Sequence, residues 1–337
     1  MIDSDTTNKH YRAFWVTKTE AGTFNQNIVE RAIDELPAGD VLVRVQYSSL
    51  NYKDMISATG RPGVTRNYPH QPGIDAAGVV AESSVENFAP GDEVIVCGYD
   101  LGMNTYGGLG EYIRVPASWV VAAPPGLSGR EAMIYGTAGF TAALCVEKLL
   151  QMGADPADGD VAITGATGGV GTFAIRLLSR LGFSVAAVTG KLETAAHLRA
   201  LGAQQIVERN LLLEQKRPLE KPRFAHGVDT LGGEYLANLL KLIHYSGSVA
   251  ACGLASSFDL HTSVLPFILR NVNLLGVDCV ELPLSKKAAN WARLGSEWKL
   301  DDLESMAEEI GLEEVPEYID RMARGQVVGR YLVNINR

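Results

Sequence analysis

Val161-Ala162-Ile163-Thr164-Gly165-Ala166-Thr167-Gly168-Gly169-Val170-Gly171 is the stretch whose reading decides the fold. Four β-prone residues run into a glycine-rich turn. The segment beyond it keeps the 3.6-residue period of a core-facing helix at Val170, Phe173, Ala174, Leu177, Leu178 and Leu181. Strand, glycine turn and helix in that order suit a diphosphate: the glycines let the backbone come close, and N–H groups at the helix start face the negative charge. Such a string is a weak signal alone, so its surroundings have to decide.

Downstream, the pattern predicts strands over 184–188, 205–207, 227–230, 248–252 and 274–277, with helices over 192–201 and 235–243. Together with 161–164 that makes six strands joined by helical crossovers, the signature of a doubly wound parallel sheet. Upstream, 138–150 reads as a helix and 156–159 as a turn. Residues 11–125 read as β-rich: Val41, Val43, Val45 and Tyr47 share one face, Arg44 and Gln46 the other, and 76–81, 93–97 and 111–115 are further strands. Turn signals such as Pro90-Gly91-Asp92 and Gly107-Gly108 separate them. After residue 281, helices are predicted at 285–298, 303–310 and 316–323, then a strand at 330–335 that lacks a neighbour in sequence. That strand predicts a return to the N-terminal β domain. The expected domains are 1–131, 132–281 and a returning 282–337, giving an α/β protein with the nucleotide domain inserted in a discontinuous β-rich one.

Composition narrows the function classes. The chain of 337 residues is 46% hydrophobic and 20% charged, with net charge −9 and a pI near 5.3, which argues against nucleic acid or an anionic membrane as partner. Cys97, Cys145, Cys252 and Cys279 form no C-x-x-C pair, which points to free thiols in a reducing compartment. Met1 to Lys9 is polar, without the apolar core of a signal peptide, and no uninterrupted apolar run of ~18 residues offers a membrane span. A cytoplasmic protein is expected.

The turn also discriminates between nucleotides. A P-loop needs a lysine directly after its glycines, and none occurs between Gly171 and Lys191. A dinucleotide site places the end of its second strand near the adenosine ribose, and that strand ends at Thr189-Gly190-Lys191. An NAD enzyme usually carries a carboxylate here, which would repel a 2′-phosphate. Thr189, Gly190 and Lys191, with Arg209 after the third strand, predict NADPH. The short-chain dehydrogenase class needs a Tyr-x-x-x-Lys dyad, and no tyrosine here has lysine four positions later.

At this point the residues reach a family. The chain resembles the medium-chain dehydrogenase/reductase superfamily over almost its whole length, with a GroES-like catalytic domain wrapped around a Rossmann domain. Zinc members carry a cysteine and a Gly-His-Glu segment where this sequence has Ser49-Leu50-Asn51-Tyr52-Lys53-Asp54 and Pro72-Gly73-Ile74-Asp75, and the four-cysteine lobe is missing. No catalytic metal is expected. Among zinc-free members, Ser48–Asp54, Gly136-Thr137-Ala138-Gly139-Phe140-Thr141-Ala142, Ala250-Ala251-Cys252-Gly253-Leu254-Ala255 and Pro266-Phe267-Ile268-Leu269-Arg270-Asn271-Val272 are similar to the YhdH/YhfP group. Ala166, where many relatives have glycine, fits that group too.

The resemblance implies quinone oxidoreductase or NADPH-dependent acryloyl-CoA reductase activity. It implies that Thr167, Gly168, Gly169 and Val170 hold the diphosphate, that Thr189, Gly190, Lys191 and Arg209 hold the 2′-phosphate, and that Leu254, Ile268 and Cys279 line the nicotinamide. It places Tyr52 at the cofactor. Reduction of an activated C=C bond requires orientation of the reactants, stabilisation of an enolate and exclusion of water, and neither a metal nor a strong base. Tyr52 then either donates the proton or fixes the cofactor amide, and Asn51 hydrogen-bonds substrate or ribose. Asp54 reads as structural, because an ionised carboxylate opposes a growing enolate. Arg61 and Arg66 are candidate partners for CoA phosphates. Two readings stand beside the enoyl-CoA one: quinone reduction, and an NADPH-binding redox sensor with little turnover. The superfamily also implies a homodimer through the edge strand 274–277.

Overall fold

The structure, a computed structural model, describes residues 10–337; Met1 to Lys9, read above as a polar N-terminus, lies outside the described residues. The chain divides into two compact units, one running to Thr137 and resuming over Cys279–Arg337, the other Ala138–Asp278. Residues 132–137 and 279–281, grouped with the nucleotide domain on sequence pattern, pack in the first unit. The Tyr135 hydroxyl accepts from Leu300 N at 3.0 Å there, and Tyr99 N donates to Val280 O at 3.0 Å.

The first unit contains β1 (His10–Lys18), β2 (Phe24–Ala32), β3 (Val41–Ser49), α1 (Tyr52–Thr59), β4 (Asp75–Ser83), β5 (Glu93–Cys97), β6 (Tyr112–Val115) and β7 (Val120–Ala122), and α2 (Gly129–Gln151) leads out of it. The second contains β8 (Val161–Thr164), α3 (Gly169–Arg180), β9 (Val185–Thr189), α4 (Ala195–Ala200), β10 (Gln205–Glu208), α5 (Asn210–Leu213), β11 (His226–Asp229), α6 (Gly233–Lys241), β12 (Ser248–Ala251), α7 (Leu265–Arg270) and β13 (Asn273–Gly276). The returning segment adds α8 (Leu284–Leu294), β14 (Ala307–Gly311), α9 (Val315–Ala323) and β15 (Arg330–Asn334).

In the first unit, β1 and β2 pair antiparallel, and a larger sheet runs β14-β15-β3-β4-β5-β7, with β6 also pairing with β3. The inward face of β3, Val41, Val43 and Val45, packs in one core with Phe14, Met55, Val94, Val96 and Ile319. The closing strand β15 lies antiparallel to β3, with Leu332 opposite Ser49. Its partner β14 replaces a predicted helix: only a short 3-10 turn, Leu303–Met306, precedes a strand over Ala307–Gly311. Tertiary pairing overrides the helix preference of Glu308 and Glu309. Glu308 accepts from the Tyr318 hydroxyl at 2.6 Å, Glu309 accepts from Asn334 Nδ2 at 2.7 Å, and the backbone joins β15 in parallel register.

The second unit is a six-stranded sheet in the order β10-β9-β8-β11-β12-β13, every pair parallel. From β8 the chain winds outward to β9 and β10, then returns to β11 on the other side. The strand order reverses at β8/β11, and the glycine turn leaves β8 at that switch point, where open α/β sheets bind ligands. Phe173, Ala174, Leu177 and Leu178 are buried on α3, as its period predicts.

Among the described residues one helix, α2, is long and apolar enough to cross a membrane, and 78% of the qualifying window is buried. It is also broken at Gly136, where φ 49° and ψ −162° are non-helical. A β-carbon there would lie 2.2 Å from Arg330 Nη2 and 2.4 Å from Ser49 Oγ. Gly136→Ala therefore combines left-handed strain with overpacking and should destabilise the chain by about 3 kcal/mol, read as a lowered urea midpoint.

Candidate active site

In the second unit the sequence has built a narrow turn. Gly165 has φ +60°, and a β-carbon there would meet Thr230 Oγ1 at 2.2 Å; one on Gly171 would meet Gly165 O at 2.4 Å. Gly165 needs glycine for its left-handed φ and for the closeness of Thr230, and Gly171 because the start of α3 packs directly on the turn it leaves. Behind it stands Asp229, buried at the end of β11. It accepts from Thr164 Oγ1 at 2.6 Å and Gly232 N at 2.7 Å, while Thr164 Oγ1 in turn accepts from Thr230 N at 3.0 Å. Burial pushes the Asp229 carboxyl up from its ordinary range. In front, Thr167, Gly168, Gly169 and Val170 are exposed or half-buried, and Gly168 caps α3 with no side-chain bond.

The neighbouring strand ends gather the predicted ribose-side residues. Thr189 Oγ1 accepts from Lys191 N at 2.9 Å, and Thr189 O accepts from Arg209 N at 2.9 Å, so the ends of β9 and β10 are tied together. A β-carbon on Gly190 would sit 3.1 Å from the Arg209 guanidinium carbon, which also lies 5.4 Å from the Tyr235 ring centroid. Leu254 and Ile268 are 61% and 69% exposed in the same unit. Arg61 and Arg66 lie in the first unit, where Arg61 Nη2 donates to Ala323 O at 3.5 Å and Arg66 N to Asn104 Oδ1 at 3.2 Å.

Tyr52, Asn51 and Cys279 belong to the first unit. Tyr52 opens α1 and is 47% exposed. The helix was not anticipated, although its marks are in the sequence: Asp54 reaches back to Asn51 N at 2.7 Å, and Gly60 closes the helix at φ +66°. Asn51 is buried, with its amide engaged at both ends. Nδ2 donates to Asp75 Oδ2 at 2.7 Å, and Oδ1 accepts from Arg330 Nη1 at 2.9 Å. Cys279 is half-buried.

Sequence reasoning missed Asp75, Thr137 and Arg330 as partners of this segment. Asp75 is fully buried and accepts from Ser49 Oγ at 2.6 Å, Thr137 N at 2.8 Å and Thr137 Oγ1 at 2.6 Å. Arg330 Nη2 stands 3.8 Å from Asp75 Oδ2, and burial holds the guanidinium below its ordinary pKa. The sequence signal was an arginine inside a strand whose next three residues are apolar, a position that demands a buried partner. Asp54 is structural as read: both oxygens accept backbone N–H groups, Asn51 N and Ile74 N at 2.9 Å. Burial first, and the charge of Asp75 second, raise its carboxyl to about 7 against those bonds.

A mostly antiparallel β unit and a parallel six-stranded unit with its glycine turn at the switch point define a two-domain dehydrogenase/reductase. Residues 37–125 match the family described as alcohol dehydrogenase GroES-like domain, and residues 169–293 the one described as zinc-binding dehydrogenase. The chain is 47% identical to the probable acrylyl-CoA reductase AcuI of Escherichia coli, over 91% of this chain and 95% of that one. It is 44% identical to the putative quinone oxidoreductase YhfP of Bacillus subtilis, over 90% and 92%. The crystal structure of the YhdH oxidoreductase from Salmonella enterica in complex with NADP superposes with TM-score 0.93 at 46% identity, covering 96% of this chain and 99% of that one. YhfP, solved with NAD bound, superposes with TM-score 0.94 at 41% identity, covering 97% and 100%. The chain belongs to the YhdH/YhfP group of medium-chain dehydrogenase/reductases. The zinc in the second family description does not fit these residues. Where zinc members offer a cysteine and a Gly-His-Glu segment, this chain has Ser49 and Gly73-Ile74-Asp75, with Ser49 Oγ donating to the Asp75 carboxylate, and no group of three His, Cys, Asp or Glu able to hold a metal occurs among the described residues.

The raised Asp54 carboxyl gives a pH test. The folded state keeps this proton up to about 7, whereas the unfolded chain releases it near the ordinary aspartate value of about 3.9, so stability from this group falls as pH rises between those limits. Between about pH 5 and about pH 8, the wild type should lose on the order of 3 kcal/mol more unfolding free energy than Asp54→Asn, measured by urea denaturation.

Proposed function

We propose that the chain is an NADPH-dependent reductase of activated C=C bonds, with acryloyl-CoA as acceptor and propanoyl-CoA as product. The observation that carries the cofactor half is the pairing of Lys191 and Arg209 with Thr189 at the adjoining ends of β9 and β10, where an NAD enzyme would present a carboxylate. The acceptor half rests on the relatives named acrylyl-CoA reductases, 44% and 47% identical over more than nine-tenths of the chain.

The residues fit this cofactor. The start of the 12-residue helix α3 carries no side-chain cap, leaving the backbone of Thr167 to Val170 to hold a diphosphate. Lys191 and Arg209 supply the cations for a 2′-phosphate, and Leu254, Ile268 and Cys279 the lining of the nicotinamide. When bound, NADPH supplies the hydride that adds to the β-carbon of the acceptor. The chain's own part is to orient the acceptor, to exclude water from the growing enolate, and to bring a proton to the α-carbon through Tyr52, whose phenol alternatively fixes the carboxamide. Asn51 belongs to this site through its fixed amide.

A second reading is supported by YhfP, whose name is putative quinone oxidoreductase and whose structure holds NAD. A homodimer is part of the main reading, formed through β13, the outer strand of its sheet with Leu274 36% exposed. So is a cytoplasmic location, supported by four free cysteines.

Purified protein mixed with NADPH or NADH, then with acryloyl-CoA, crotonyl-CoA or 1,4-benzoquinone, tests the reading by loss of reduced-nicotinamide absorbance. Acryloyl-CoA with NADPH should turn over fastest. Fast quinone turnover with none of acryloyl-CoA overturns the acceptor, and no turnover with any acceptor favours a binding protein. Lys191→Asp should lower kcat/KM for NADPH relative to NADH at least roughly tenfold, about 1.4 kcal/mol of discrimination. Light scattering should report twice the chain mass of 36.2 kDa.

A further inference from the structure

The network behind α1 is more elaborate than a strand-to-helix junction requires. Asp75 gathers donors from two segments far apart in sequence: Ser49 and Asn51, at the junction of β3 and α1, and Thr137 within α2. Thr137 N reaches the carboxylate because α2 is broken one residue earlier; in an unbroken helix that N–H would belong to the preceding turn. Arg330 approaches from β15, with Nη1 donating to Leu50 O at 2.8 Å and to Asn51 Oδ1. Its Nη2 is buried without a hydrogen-bond partner.

The result is a clamp on one side chain. The Asn51 amide is gripped by a carboxylate at its nitrogen and a guanidinium at its oxygen, so its orientation has one solution. The Asn51 main chain is fixed as well, by Asp54 Oδ2, whose other oxygen holds Ile74 N next to Asp75. Tyr52 is the next residue and is half-exposed. Burying a charged pair costs desolvation that well-packed apolar residues would not incur, so its presence is accounted for by what it orients rather than by stability.

We propose that Asp75 and Arg330 are positioning residues that act through Asn51, fixing where Tyr52 enters α1 and hence where its phenol stands for the reaction. The proposal rests on the part given to Tyr52 under the proposed function. A displacement near 1 Å in a reacting group can lower turnover on the order of a hundredfold with little effect on binding.

The test is a double-mutant cycle of Asp75→Asn with Tyr52→Phe on the full chain, with turnover of acryloyl-CoA, NADPH affinity by fluorescence, and the Tyr52 ring signal in ¹³C-tyrosine-labelled protein, assigned by its loss in Tyr52→Phe. Asp75→Asn should move that ring signal and lower kcat by roughly tenfold to a hundredfold, with KM and NADPH affinity changed by less than about threefold. In the Tyr52→Phe background the same substitution should lower kcat by less than about twofold further. An unmoved ring signal, or equal kcat losses in both backgrounds, overturns the proposal. Should Asp75→Asn fail to fold, Ser49→Ala removes one donor to the same carboxylate and is judged by the same criteria. If the wild type turns over no acceptor, the proposed function fails while the ring signal alone still decides the positioning.

Discussion

A carboxylate taken out of water has to be surrounded by donors, and in this protein that requirement shapes both units. Asp75 is met by a serine, an asparagine, a threonine with its backbone amide, and an arginine, drawn from β3, the start of α1, α2 and β15. The β3–α1 junction, α2 and β15 are remote from one another in sequence. Satisfying one buried anion thereby fixes how the closing strand, the broken helix and the β3–α1 junction come together.

Asp229 does comparable work in the second unit. It sits at the end of β11, beside the point where strand order reverses, and holds Thr164 and Gly232 N. The two carboxylates stand in different company, since Asp229 is bonded by a hydroxyl and backbone amides, whereas Asp75 has a guanidinium at 3.8 Å. Each stands one step behind the residues read as meeting ligand: Thr164 precedes the glycine turn, and Asn51 precedes Tyr52. Rigidity is supplied from beneath, leaving the front residues exposed.

How far the sequence revealed this depended on the range of the interactions. The six parallel strands were legible because period, crossover helices and glycine turn are local and agree with one another. Thr189, Lys191 and Arg209 could be grouped because parallel strand ends converge by topology. By contrast α1 spans eight residues between irregular segments and shows no long period, so only Asn51, Asp54 and Gly60 marked it. The stretch at Leu303–Ile310 was misread as helix because its partner β15 follows only after α9. Arg330 looked like one polar position in a strand; its carboxylate lies some 250 residues earlier in the chain.

The break in α2 has a consequence for anyone recombining such proteins. Thr137, whose amide donates to Asp75, is also the last residue of the first unit before the chain enters the second. At the other seam Val280 accepts from Tyr99 N and from buried Lys287 Nζ at 2.9 Å, immediately after the chain returns. A chimera that grafts a foreign nucleotide domain has to carry Gly136-Thr137 and Cys279-Val280 with the β-rich host. Cutting a few residues inward on either side would export a ligand of the buried anion, or the anchor of the return, along with the guest.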